Sequence, residues 1–139
     1  RTDTRYSYGS FGVLYTSLEP ETSAGEYAYW APTFVPPRPG LPILVRLPLI
    51  RCRLQGEVKD VRHKLAPWPW LVADEYSNCR ILAQAAITDD LDGLFTPSAR
   101  KSLGTTVPIF SHDAVSLPNV IGQVTVSIFS DGTTKVTIT

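Results

Sequence analysis

The feature that most constrains the fold lies at the C-terminus. There IGQVTVSIF (121–129) and TTKVTIT (133–139) alternate apolar and polar residues on either side of Ser130-Asp131-Gly132. Successive side chains of an extended chain point to opposite faces, so Val124, Val126 and Ile128 share one face, and Val136 and Ile138 can match them. An Asp-Gly pair tolerates the positive φ that a tight connection demands, and the segment is predicted to be a β-hairpin.

The same period of two runs through much of the chain. FGVLYTSL (11–18) and EYAYWAPTF (26–34) read as strands, the second limited by Pro32, with VPPRPG (35–40) as the stiff corner that leaves it. LPILVRLPLIRCRL (41–54) reads as a long strand in which Pro42 and Pro48 each remove a ladder donor, predicting an edge position with a bend or a change of partner. EVKDVRHKL (57–65) fits either a solvated strand or a short amphipathic piece. CRILAQAAI (79–87) alternates if Cys79, Ile81, Ala83, Ala85 and Ile87 face inward, whereas Tyr76, Cys79, Leu82 and Ala86 satisfy helical spacing; strand is the preferred reading and helix stays open. Thr96 as a cap, Pro97 at the first helical position and Gly104 as a stop predict one short helix near 97–103. The fold class expected from these segments is all-β: a single domain over residues 1–139, built as a β-sandwich or jelly-roll-like barrel with that one helix and the C-terminal hairpin.

With 139 residues the chain can bury a core without staples, and its thirteen basic and thirteen acidic side chains cancel. This balance leaves no electrostatic footprint for nucleic acid, and no apolar run approaches the roughly 18 residues a transmembrane helix needs. The sequence begins at Arg1 and contains no methionine, as expected of a processed product or a piece of a larger polypeptide. Cys52 and Cys79 carry no C-x-x-C pattern, so a disulfide and two reduced thiols both remain open.

Candidate chemistry is sparse. Asp89, Asp90 and Asp92 cluster before Gly93, but the spacing fails an EF-hand: counted from Asp90, its third ligand position, its glycine and its closing glutamate fall on Leu94, Phe95 and Lys101. A solvated turn is the ordinary reading. Ser111, His112 and Asp113 hold the three residue types of a hydrolase triad, yet consecutive residues of an extended chain point apart, and the G-x-S-x-G elbow is absent. Phosphate cradles such as G-x-x-x-x-G-K are absent, and no cofactor is expected. Pro67-Trp68-Pro69-Trp70 is either a rigid aromatic anchor or a plug for the end of a sheet. Trp68, Trp70, Tyr27, Tyr29 and Trp30 are accordingly the candidate binding residues.

Two family resemblances are carried by short stretches. FGVLYTSLE, PETSAG, EYAYWAPTF and VPPRP resemble the final strand pair and proline-rich exit of a picorna-like virus capsid jelly roll. That resemblance implies a capsid surface or protruding domain on the virion, part of a larger assembly, contacting a host receptor, a glycan or other capsid subunits. SAG (23–25), PP (36–37), LPILVRLPL (41–49), VADEYSNCRILAQ (72–84) and NVIGQVTVSIF (119–129) resemble the succession of motifs in trimeric dUTPases. The dUTPase pattern lacks its aspartate near Tyr27 and its Arg-Ser-Gly near Arg62, which implies a catalytically degenerate relative. The function expected from the sequence is thus a non-catalytic capsid or surface module for host attachment, with a dUTPase-like fold or a hydrolase using His112 as the alternatives.

Overall fold

The computed structural model describes residues 4–139 and contains seven strands and two α-helices. In chain order they are β1 (Leu14–Ser17), α1 (Pro20–Phe34), β2 (Ile43–Leu54), β3 (Val58–Asp60), α2 (Ser77–Thr88), β4 (Gly93–Pro97), β5 (Thr105–Ile109), β6 (Val115–Ile128) and β7 (Thr134–Ile138). The strands form two separate sheets, ordered β1-β5-β4-β3 and β2-β6-β7. The protein is rich in β-structure, as its alternating segments predict, but it is mixed α/β. The two sheets do not close into a barrel, and the all-β jelly-roll expectation is corrected.

The C-terminal hairpin forms as predicted. Val126 sits opposite Val136 and Val124 opposite Ile138, with Gly132 at φ 86° in the turn. β2 is also where the sequence places it, antiparallel to β6 along its whole length. It lies at the edge of its sheet, where Pro48 needs no partner for its missing N–H, and register shifts between Leu49 and Ile50 and between Arg51 and Arg53 bend it.

The largest correction concerns residues 20–34. The polar turn PETSAG and the aromatic strand EYAYWAPTF form one continuous helix, α1. Pro20 enters at its first turn, where no amide partner is needed. Ala24, Ala28 and Ala31 then recur at helical spacing and are buried. These three small side chains let the helix lie close on Val124, Val126 and Ile128 of β6, with Val45 of β2 and Val136 of β7 packed around them. Each aromatic residue could serve a strand or a helix, and the alanine stripe decides because it matches a flat sheet face.

The segment after Tyr76 takes its helical alternative, α2, with Cys79, Ala83 and Ala86 buried against Tyr6 and Leu94. The predicted helix near 97–103 is absent. Thr96 pairs with Thr106 and Pro97 with Thr105, so residues 98–104 are the connection between β4 and β5, pinned at both ends. The charged segment 57–65 splits into β3, parallel to β4, and a 3-10 turn at Arg62–Lys64. Cys52 and Cys79 are separate free thiols.

Candidate active site

Glu26 and Ser98 are distant in sequence and meet in the fold. Glu26 lies on the face of α1 that also carries Ser23, Trp30, Thr33 and Phe34, while Tyr27 lines the cavity and also packs against the cluster of the alanine stripe. Ser98 opens the loop that follows β4. Its hydroxyl donates to Glu26 Oε2 at 2.5 Å and accepts from the backbone N–H groups of Arg100 (3.1 Å) and Lys101 (3.0 Å). With its lone pairs occupied by two amide donors, the hydroxyl proton is directed at the carboxylate.

Glu26 lines a cavity of about 410 Å³, which Pro97 and Ala99 on either side of Ser98 also line. Tyr27, Trp30 and Phe34 give one wall an aromatic surface, and Arg5, Arg100, Tyr15 and Tyr76 line it from other parts of the chain. Both arginines are mostly sheltered, with side-chain exposures of 15% and 12%. The Arg5 guanidinium donates to the carbonyls of Leu71 and Ala73 and lies over the ring of Tyr76, 4.6 Å from its centre. The Arg100 guanidinium stacks on Tyr29 at 3.3 Å and donates to Asp74 Oδ1 at 2.8 Å. Tyr15 binds Thr4 through its hydroxyl and accepts the Tyr6 N–H at 3.2 Å. Burial pushes the phenols of Tyr6 and Tyr15 upward, so both stay protonated at neutral pH and act as neutral groups.

The residues singled out in the sequence are dispersed by the fold. Tyr27 and Trp30 reach the cavity, while Tyr29 stands behind Arg100. Trp68 and Trp70 stack on each other with centres 5.2 Å apart, Trp70 packing against the α2 core and Lys64 lying over Trp68, and neither lines the cavity. Ser111 precedes a 3-10 turn in which His112 and Asp113 are 98% and 94% exposed, with His112 Nε2 3.2 Å from Asp113 Oδ1. A solvated pair of this kind has no walls to hold a substrate, and it is not joined to the cavity. Asp92 Oδ2 accepts the Glu57 N–H at 2.8 Å, Asp89 caps α2, and Asp90 takes a left-handed turn at φ 59°. Among the described residues no group of three or more His, Cys, Asp or Glu side chains is placed to hold a metal ion.

Sequence reasoning missed Arg5, Glu26, Ser98 and Arg100. Only the alanine spacing, which would have turned residues 20–34 into a helix, offered a route to Glu26.

Comparison with known proteins bears on these findings. No curated protein sequence matches the chain. The family profile of the RES domain matches residues 1–128. This overturns both resemblances drawn from the sequence. The stretch read as a pair of capsid strands is one strand followed by a helix, and the dUTPase succession crosses two helices, so each shared only short strand-turn-proline patterns. The host-attachment role, the virion-surface location and the degenerate dUTPase alternative fall with them. Because the match spans most of its length, the chain belongs to the RES domain family.

Proposed function

We propose that this protein is an enzyme that consumes NAD by cleaving the bond between nicotinamide and ribose. The RES family is associated with NAD and with toxin–antitoxin pairs. The observation that carries the reading is Glu26, hydrogen-bonded by Ser98 and lining a cavity with an aromatic wall and two arginines. The cavity volume falls within the roughly 300–1,000 Å³ of small-molecule sites.

Each part of the cavity answers a part of that substrate. Guanidinium groups suit the diphosphate because their planar forks match phosphate oxygens. Tyr27 and Trp30 offer faces on which a flat base can stack. As the C1′–N bond breaks, its electron pair passes to the nicotinamide ring, whose positive charge is discharged, and positive charge develops on the ribose. A fixed carboxylate beside that carbon stabilises the developing charge. Ser98 occupies Glu26 Oε2, which leaves Oε1 for a ribose hydroxyl or for the attacking water. The water oxygen bonds to C1′, and its proton leaves through the carboxylate to solvent.

The reading takes residues 1–139 as one functional domain, since α1 packs on the second sheet with its alanine stripe and presents the opposite face to the cavity. The partner class implied by the family association is an inhibitory protein. The test is nicotinamide release from NAD by the purified protein, followed by chromatography. Glu26→Gln should lower kcat/KM by at least 100-fold, and Ser98→Ala by about 10-fold or more. A wild-type protein that releases no nicotinamide, or a Glu26→Gln variant of undiminished rate, would overturn the reading.

A further inference from the structure

The two arginines of the cavity converge on one carboxylate. Asp74 Oδ1 lies 2.8 Å from Arg100 Nη2 and 3.9 Å from Arg5 Nη2. Asp74 ends the segment whose carbonyls, at Leu71 and Ala73, also receive Arg5. Each guanidinium is further backed by a tyrosine ring, Tyr76 behind Arg5 and Tyr29 behind Arg100. Two cations brought together in a sheltered wall repel each other, and an anion shared between them offsets that repulsion. Asp74 itself is 66% exposed, so its ion pairs contribute little to folding stability. Its carboxylate, in contrast, contacts two groups that both line the cavity.

We propose that Asp74 is a positioning residue that holds Arg5 and Arg100 as a two-pronged clamp for a diphosphate. The inference deepens the NAD reading and rests on it for the ligand class, but binding of a diphosphate can be measured without turnover. Positioning and simple electrostatics predict opposite signs. If Asp74 were only a competing anion, removing its charge would tighten the binding of another anion. If it orients the clamp, removal loosens both guanidinium groups and weakens binding despite the gain in positive charge.

Isothermal titration of the full chain with inorganic pyrophosphate and with ADP separates the two. Asp74→Asn should bind both about tenfold more weakly than wild type, with an unchanged Tm, and Asp74→Glu should recover part of the loss. Where NAD is turned over, the same Asn variant should raise KM while kcat stays within about twofold. Equal or tighter pyrophosphate binding by Asp74→Asn overturns the clamp, as does a wild-type protein that binds neither ligand. Weakened binding in the variant of a protein that releases no nicotinamide would support the clamp and overturn the NAD reading alone.

Discussion

Tyr6 is 2% exposed, and among the described residues its hydroxyl has no hydrogen-bond partner, the neighbouring Thr96 hydroxyl being bonded to that of Thr106 at 2.6 Å. A buried polar atom without a partner forfeits its hydration for nothing. Tyr6→Phe should therefore leave Tm unchanged or raise it, a gain within about 1–3 kcal/mol by thermal or denaturant unfolding. A clear loss would show that the hydroxyl is engaged. Asp60 presents the opposite case. Hydrogen bonds from the Arg62 side chain and its backbone N–H pull the Asp60 carboxyl down to about 2 from its ordinary 3.8. A group whose pKa is lower in the folded state favours folding above its unfolded value, and that contribution is lost as pH falls through the folded one. Both partners are nearly half exposed, so solvent screening limits the effect to under about 1 kcal/mol. Asp60→Asn should be slightly less stable than wild type at neutral pH, and the two unfolding curves should converge between pH 4 and pH 2.

At the scale of elements, the junction of α1 with β5 controls the site. The Glu19 carboxylate accepts the Thr22 hydroxyl at 2.6 Å and the Thr105 N–H at 2.9 Å, tying the start of the helix to the start of the strand. Gly104 closes this junction: a Cβ there would lie 2.3 Å from Thr22 Oγ1 and 3.1 Å from the carbonyl of Lys101. Gly104→Ala should push α1 away from the loop carrying Ser98 and Arg100. The expected cost is about 1–3 kcal/mol of stability, read as a lower Tm, accompanied by a loss of nicotinamide release larger than the fall in folded fraction. A neutral substitution would mean that the loop shifts freely and that the Glu26–Ser98 distance does not depend on this contact. α1 is thus a two-sided element, its alanine stripe set by packing and its opposite face by the cavity.

At the scale of the whole molecule, what could be read from the chain was local. The hairpin at 121–139 was legible because alternation and an Asp-Gly turn both act between near neighbours, and β1 and β2 were legible for the same reason. Residues 20–34 were not, because Tyr27, Tyr29 and Trp30 satisfy a strand as well as a helix, and only contact with Val124, Val126 and Ile128 makes the small residues decisive. Thr96–Gly104 carried real helix signals that lost to strand pairing at both ends. The site was least legible of all. Its groups come from the N-terminal segment (Arg5), the middle of α1 (Glu26), a loop before α2 (Asp74) and the β4–β5 connection (Ser98, Arg100), with no motif spanning any two of these segments. Sequence alone determined a β-rich chain with a defined hairpin, an edge strand marked by proline, and a balanced charge. Tertiary structure decided the helices, the separation into two sheets and the candidate site, because those depend on which distant surfaces meet, and burial of apolar area selects among local conformations that differ little in energy by themselves.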